Sequence, residues 1–299
     1  MRLLPRLAVL AASLLLLAGT VHAEAGAEPL RILLVTAHPD DEAVYSATVY
    51  RLTHTLGATA DLAILTNGEG GYKYSDLAES IYGLELTREE VGRAHLPGIR
   101  KRELLAAGEV LNIRNYFFFD QKDTEYTLEL EPVFAAWDLD FIRQRMRSIL
   151  RAETYDYVFV MLPTDSTHAH HRASAIFALE AVAEMPAETR PIVLGVRSLS
   201  KEEAASYEYR GFPGFPVTTV AEDAPRLEFD RSRPFGARDR LNHHIIVNWV
   251  IAEHKSQGTM QMLMNRDDIE RFFYFALNSD AGRARAQALF DRLGQKTAE

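Results

Sequence analysis

The chain has 299 residues, of which 47% are hydrophobic and 25% are charged, a composition typical of a globular protein that buries a core. Its formal net charge of −9 argues against nucleic-acid binding, because phosphate recognition needs a clustered positive surface. The chain contains no cysteine. Disulfides are therefore excluded, and any metal site must be built from His, Asp and Glu.

The first 23 residues have the features of a signal peptide. Arg2 and Arg6 precede an apolar run at 7–21, and small residues form a cleavage site that ends at Ala23. The run is short for a membrane span, and no stop-transfer pattern follows it. We therefore expect residues 24–299 to be exported to the periplasm or secreted, without a stable membrane span. An uncleaved N-terminal anchor is the alternative.

Between about residue 30 and 200, short apolar runs rich in branched residues alternate with segments of helical periodicity. Continuous apolar runs suit strands buried on both faces, and strand–helix alternation implies right-handed crossovers. The sequence therefore predicts a single α/β domain with a mostly parallel, doubly wound sheet. The predicted strands cover 31–36, 62–66, 116–119, 157–162 and 191–196, and the predicted helices cover 42–56, 100–111, 138–151, 171–185 and 241–256.

Two of the predicted strands are followed directly by reactive side chains. Residues 37–42 have the sequence AHPDDE and follow the first strand, and residues 164–171 have the sequence TDSTHAHH and follow the strand that ends at Leu162. In open α/β sheets, ligands bind outside the carboxyl ends of the strands. Both segments therefore predict a functional site at one edge of the sheet.

The residue types in these segments suit a catalytic zinc site, which takes three protein ligands and keeps one position for water. His38 and Asp41 supply two ligands, and a histidine from the second segment supplies the third. Asp40 is then the general base, and a second histidine stabilises the oxyanion and protonates the departing amine. The alternative is that the aspartate pair is only a helix N-cap with a first-turn charge.

Residues 37–42 closely resemble the opening motif of the LmbE-like/PIG-L family of zinc-dependent N-acetylglucosaminyl deacetylases. The resemblance continues in residues 65–71 (LTNGEGG), which are similar to the glycine-rich loop of the family. It continues further in the Arg-x-x-Glu pattern at 100–103 and in the histidine motif at 168–171. These motifs occur in the expected order within residues 30–200, and the resemblance implies a Rossmann-like sheet.

Carried over position by position, the resemblance implies that His38, Asp41 and His171 bind one zinc ion. It implies Asp40 as the general base and His168 as the residue that polarises the tetrahedral intermediate. The resemblance thus separates the histidines of the second motif into a metal ligand and a catalytic residue.

Substrate contacts are expected from other parts of the chain. The resemblance implies that Arg100 contacts the substrate at an anionic or hydroxyl group beyond the sugar. Residues 67–98 are predicted to form a long polar loop, in which Tyr72, Tyr74 and Tyr82 either stack on a sugar ring or only hold the loop in place. The chain after residue 200 has a weaker pattern, and we expect it to be peripheral and to shape the substrate pocket.

One position departs from the family pattern. Family members commonly have Pro-Asp between the two histidines of the second motif, where this chain has Ala169 and His170. In the family that aspartate orients and charges the polarising histidine. His168 therefore needs another partner in this chain, and Asp165 is the candidate.

The sequence thus predicts a zinc-dependent hydrolase that removes an acetyl group from an N-acetylglucosamine-type substrate. A metal-dependent phosphoesterase is one alternative, suggested by the carboxylate pair and Arg100, although two-metal phosphoesterases generally need more bridging carboxylates. A non-catalytic sugar-binding protein of the same fold is the other alternative. It would bind its ligand without releasing acetate.

Overall fold

The computed structural model describes residues 29–258, 261–262 and 265–295. The predicted signal peptide, residues 1–23, lies outside these ranges. None of the helices within them is both long enough and apolar enough to cross a membrane.

Seven strands of the described chain form one central sheet, and the first five of them run parallel. The five strands are β1 Arg31–Thr36, β2 Thr59–Thr66, β3 Ile113–Gln121, β4 Tyr157–Met161 and β5 Ile192–Leu199. Their order in the sheet is β3-β2-β1-β4-β5, so the chain winds outward in opposite directions from the neighbouring strands β1 and β4. This is the switch point of a doubly wound sheet, and the predicted mostly parallel α/β fold is confirmed.

The chain after residue 200 completes this sheet, so the expectation that the whole region is peripheral is wrong. Strand β6, Leu227–Asp230, pairs antiparallel with β9, Ile269–Tyr274, and β9 pairs antiparallel with β5. Strands β7, Pro234–Phe235, and β8, Leu241–Asn242, form a separate short hairpin. Charged residues interrupt both β6 and β9, which is why neither shows the continuous apolar run of a buried strand.

Helices pack on both faces of the sheet. Successive residues of β1 point to opposite faces, so that Ile32 and Leu34 belong to one apolar core and Leu33 and Val35 to the other. The helices are α1 Ser46–Tyr50, α2 Asp76–Tyr82, α3 Glu89–Val110, α4 Leu130–Ala136, α5 Leu139–Ala152, α6 Ala169–Ala183, α7 Lys201–Ser206, α8 His244–Glu253 and α9 Asp280–Leu293.

Two predicted segments differ from the structure. The helix expected at 42–56 consists of a 3-10 turn at Asp41–Tyr45, the short α1, and a π-helical turn at Arg51–Thr55. The loop expected at 67–98 contains α2 and the first turns of α3. Gly92 lies in the first turns of α3, and its low helix propensity makes the start of this helix hard to recognise in the sequence. A Cβ there would lie 2.4 Å from a backbone oxygen, so close packing requires the glycine.

A buried ion pair joins the C-terminal strands to the segment that follows β1. Arg231 and Glu270 are both fully buried, and Arg231 Nε donates to Glu270 Oε1 at 2.9 Å. Arg231 also donates to the carbonyl oxygen of Ala43 at 2.9 Å. The Glu270 carboxylate accepts the backbone N–H groups of Ala47 and Thr48 at 3.0 and 2.8 Å. The pair therefore anchors the turn after β1 and stabilises the positive end of α1.

Replacing Glu270 with Gln removes the negative charge opposite the buried Arg231 guanidinium. We expect the free energy of unfolding, measured with urea, to fall by about 3–5 kcal/mol, because the removal of one partner from a buried ion pair is strongly destabilising. The control is Glu85→Gln, which disrupts an exposed ion pair with Arg88 and should leave the urea midpoint unchanged. Equal midpoints for Glu270→Gln and the control would contradict this role.

Candidate metal centre and catalytic cleft

The chain leaves β1 through a strained turn at Asp40. Its φ of 116° and ψ of −20° lie in a region that residues other than glycine seldom adopt. The Asp40 N–H donates to Glu42 Oε2 at 3.0 Å, and Arg100 Nη2 donates to Asp40 Oδ2 at 2.9 Å and to the carbonyl of Pro39. Glu42 is itself fully buried and hydrogen-bonded to the buried His254. These contacts maintain a costly backbone conformation, as functional sites often do.

Three ligand-type side chains meet directly after this turn. The His38 Nδ1 and His171 Nε2 atoms are 3.2 Å apart. Asp41 places one carboxylate oxygen 3.0 Å from His171 Nε2 and the other 3.4 Å from His38 Nδ1. Ligands that bind one tetrahedral ion at about 2.1 Å lie roughly 3.4 Å apart. One ligand atom from each of the three side chains lies within 4.8 Å of the other two, which suits a single divalent ion, and the structure brings together all three predicted ligands.

Neither aspartate of the pair caps the following turn with its side chain. Asp40 occupies the N-cap position of the 3-10 turn but makes no side-chain capping hydrogen bond. The Asp41 carboxylate lies in the first turn, reaches backward and accepts the N–H groups of Ala37 and His38 at 3.0 and 2.7 Å. A helix cap with a first-turn charge therefore does not by itself account for the pair.

The buried charges shift the titration of these groups in different directions. Burial raises the pKa of Asp41, but His171 and His38 outweigh burial and hold that pKa well below its usual range. Burial raises the pKa of Asp40 to about 6, against the opposing charge of Arg100. Burial lowers the pKa of His38, and nearby carboxylates, Asp41 above all, leave it raised. Asp41 is thus suited to be an anionic ligand and Asp40 to exchange a proton near neutral pH.

Two further histidines lie beside this set. The fully buried His170 places Nδ1 2.9 Å from His38 Nε2 and Nε2 2.8 Å from Thr124 Oγ1. His168 precedes α6, and its Nδ1 accepts the backbone N–H of His170 at 3.2 Å. A neutral His168 ring therefore carries its hydrogen on Nε2. Burial lowers the pKa of both rings, that of His170 to about 3, so both are neutral.

Asp123 is a site residue that the sequence analysis missed. It follows β3, is 3% exposed, and places its carboxylate oxygens 3.6 Å from His170 Nδ1 and 3.9 Å from His38 Nε2. Asp165, the expected partner of His168, is exposed instead. The position of Asp123 at the carboxyl end of a third parallel strand is the feature that could have revealed it.

The site opens into a cleft of about 300 Å³ that is lined by the predicted ligands, Asp40, Arg100 and His168. Tyr126 stands at this cleft with 67% of its surface exposed, and its ring meets that of His168 edge-on, with centroids 5.1 Å apart. Of the three loop tyrosines, Tyr74 lines the cleft, whereas Tyr72 is buried and Tyr82 hydrogen-bonds to α3. Two aromatic side chains, Tyr74 and Tyr126, therefore line the cleft.

Arg100 is directed toward the protein interior. It is 2% exposed and donates from Nη1 to the carbonyl of Gly68 at 2.5 Å, in addition to its bonds at the turn. Gly68 has a φ of 69°, and a Cβ there would lie 2.1 Å from Arg100 Nη1. The structure thus shows that Arg100 orients Asp40, and its contact with a substrate stays a prediction.

The spacing of the Arg-x-x-Glu pattern places Glu103 one turn further along α3 than Arg100. Its carboxylate accepts the N–H of Ser256 at 2.8 Å and the hydroxyl of the same residue at 2.6 Å. The next residue, Gln257, lines the cleft. Glu103 therefore holds the segment that contains Ser256 and Gln257 at the edge of the cleft.

The part of the chain that carries the three predicted ligands is similar in sequence to known proteins. The family described as "PIG-L: GlcNAc-PI de-N-acetylase" matches residues 33–182, which is half of the chain. The chain is 28% identical over 173 residues to a protein of Bacillus cereus named "Probable N-acetyl-alpha-D-glucosaminyl L-malate deacetylase 2". That alignment covers 58% of this chain and 70% of the relative.

Two solved structures are similar. GalB, the 4-carboxy-2-hydroxymuconate hydratase from Pseudomonas putida KT2440, has 16% identity and a TM-score of 0.53, with 82% of this chain and 95% of that chain covered. The N,N'-diacetylchitobiose deacetylase from Pyrococcus horikoshii has 24% identity and a TM-score of 0.38, with 51% and 49% covered, about half of its length. The first match shows a shared fold, which does not by itself specify a reaction. By the family match over residues 33–182, the chain belongs to the PIG-L family.

Proposed function

We propose that this protein is a zinc-dependent hydrolase that removes the acetyl group from an N-acetylglucosamine-type substrate. The observation that carries the proposal is the set of His38, Asp41 and His171, which each bring a ligand atom within 4.8 Å of the others at an open cleft beside Asp40. The description of the family and the name of the Bacillus relative support the same reaction.

The ligand set suits zinc among the divalent ions, because two imidazoles and one carboxylate with an open position recur in catalytic zinc sites. Zinc bound there supplies a Lewis acid for the amide carbonyl and lowers the pKa of a water molecule to about 7. The three side chains are already close together, so binding of the ion requires little rearrangement of the ligands.

Asp40 acts as the general base in this proposal. Its carboxylate lines the cleft beside the ligands, and its raised pKa of about 6 suits a group that accepts a proton from the attacking water. Asp40, rather than the second histidine expected from the sequence, then delivers this proton to the departing amine, because burial lowers the pKa of His168 and keeps that ring neutral. Arg100 holds one carboxylate oxygen at 2.9 Å and thereby fixes the direction of the other.

His168 stabilises the oxyanion. Because its Nδ1 accepts the His170 backbone N–H, its Nε2–H is the donor that remains for a ligand in the cleft. A fixed donor beside the attacked carbonyl stabilises the tetrahedral intermediate more than the planar amide.

In this proposal the sugar ring lies in the cleft beside Tyr74 and Tyr126, whose rings offer apolar faces against which a pyranose can pack. Arg100 also lines the cleft, and its contact with a substrate group stays a prediction. The features of residues 1–23 support action outside the cytoplasm, in the periplasm or as a secreted enzyme.

Replacing His171 with Ala removes one of the three ligands. We expect the purified wild type to retain one zinc ion per chain after gel filtration and the variant to lose it, because two ligands hold the ion too weakly. Elemental analysis measures the zinc content. His54→Ala is the control, since His54 is exposed and stacks on Tyr50. Full zinc occupancy in His171→Ala would show that the ligand set is wrong.

Replacing Asp40 with Asn should lower kcat at least about 10²-fold while zinc content stays unchanged, because the base is lost and the ligands are kept. Acetate release from a panel of N-acetylglucosamine glycosides measures the rate. The matched control is Asp140→Asn on the exposed face of α5, which should retain full activity. Turnover of Asp40→Asn at the wild-type rate would remove Asp40 from the mechanism, and a wild type that releases no acetate from any glycoside would refute the proposed function.

A further inference from the structure

Position 170 holds a histidine where the family pattern commonly has an aspartate, and its ring contacts a proposed metal ligand. His170 Nδ1 lies 2.9 Å from His38 Nε2, and His170 Nε2 lies 2.8 Å from Thr124 Oγ1. The aspartate of the family pattern is expected to serve the polarising histidine. In this chain the side chain at position 170 instead contacts His38, the proposed metal ligand.

Two neighbouring rings hold the His170 ring in place. It stacks on the His168 ring with centroids 4.3 Å apart and planes at 25°, and it lies 5.2 Å from the Trp137 ring at 33°. The side chain is fully buried. Its two nitrogen atoms therefore point to fixed partners, and a change of rotamer would require repacking of the core.

The hydrogen positions follow from the metal-binding atom. If His38 binds an ion through Nδ1, its neutral ring carries the single hydrogen on Nε2, and this buried donor needs an acceptor. His170 Nδ1 is at hydrogen-bond distance and can accept only if His170 carries its own hydrogen on Nε2. The Thr124 hydroxyl oxygen then accepts that hydrogen at 2.8 Å.

We propose that His170 and Thr124 form a hydrogen-bond relay that fixes His38 with Nδ1 toward the metal, so that His170 is a positioning residue of the centre. In this relay His38 Nε2–H donates to His170 Nδ1, and His170 Nε2–H donates to Thr124 Oγ1. The inference rests on the proposed function for the choice of His38 as a ligand. An imidazole thus takes the place of the carboxylate or carbonyl that usually orients a metal-binding histidine.

Asp123 contributes charge to the relay without a hydrogen bond to either ring. Its carboxylate oxygens are 3.6 Å from His170 Nδ1 and 3.9 Å from His38 Nε2, and one of them accepts the N–H of Glu125 at 2.8 Å. The rival assignment is that Asp123, and not His170, is the partner of His38. The variants described next separate the two assignments.

Two matched pairs of variants test the relay. His170→Leu removes the acceptor, whereas His170→Asn keeps an amide oxygen that can accept. Thr124→Val removes the hydroxyl at nearly constant volume, whereas Thr124→Ser keeps it. Zinc affinity is measured by competition with a chromophoric chelator. We expect the dissociation constant of His170→Leu to rise about 10–100-fold, that of Thr124→Val to rise by a smaller factor, and His170→Asn and Thr124→Ser to bind close to the wild type.

A second readout reports the hydrogen positions directly. In the zinc-loaded wild type, side-chain ¹⁵N shifts should show His170 with hydrogen on Nε2 and a hydrogen-free Nδ1. The opposite tautomer would overturn the proposal, as would wild-type zinc affinity in both Thr124→Val and a folded His170→Leu. Thermal unfolding establishes which variants fold. If His170→Leu does not fold, the comparison of Thr124→Val with Thr124→Ser tests the relay.

The Asp123→Asn variant tests the rival assignment. The relay predicts that its zinc affinity falls less than that of His170→Leu, and a larger loss would assign the role to Asp123 and overturn the proposal. Failure of the proposed function gives a different result, because the wild type itself would then bind no zinc or release no acetate. A wild type that binds zinc and releases acetate with all relay variants unaffected would refute the relay alone.

Discussion

The left-handed backbone at Asp40 is the constraint on which the site depends. Such a conformation costs of the order of 1–3 kcal/mol for a residue with a side chain. Here the buried Glu42 carboxylate and the Arg100 guanidinium bind the residue from two sides. The reversal of the chain sends two adjacent carboxylates in different directions, Asp41 toward the histidines and Asp40 toward the cleft. One turn thereby separates the proposed metal ligand from the proposed general base.

The C-terminal part of the chain supports this turn from behind. Arg231 of the C-terminal region binds the carbonyl of Ala43, and Glu270 of β9 accepts the first N–H groups of α1. His254 pairs with the Glu42 side chain. Buried charged groups with specific partners hold a geometry that apolar packing would leave less defined, and a site needs such support to keep its side chains in position. The region is therefore part of the machinery that shapes the centre.

The sheet topology explains why these residues meet. Strands β1, β3 and β4 end at the same edge, and the chain beyond them carries Asp40, Asp123 and the histidines of α6. Because β1 and β4 are neighbours at the switch point, the segments that follow them diverge and leave a crevice between them. The same fold occurs in a hydratase, so the reaction depends on the side chains placed in the crevice.

Local sequence determined the strands, the parallel sheet and the residue types at its edge, because hydrophobic periodicity and the alternation of strands and helices are properties of short segments. The boundaries of β1 agree with the prediction at both ends. Family motifs pointed to His38, Asp41 and His171, which the fold brings together. Tertiary structure alone decided that Arg100 binds Asp40, that Asp123 approaches the histidines, that His170 contacts His38, and that β6 and β9 extend the sheet. These features arise from contacts between residues distant in the chain, 132 positions apart for His38 and His170, and no short-range pattern encodes such contacts.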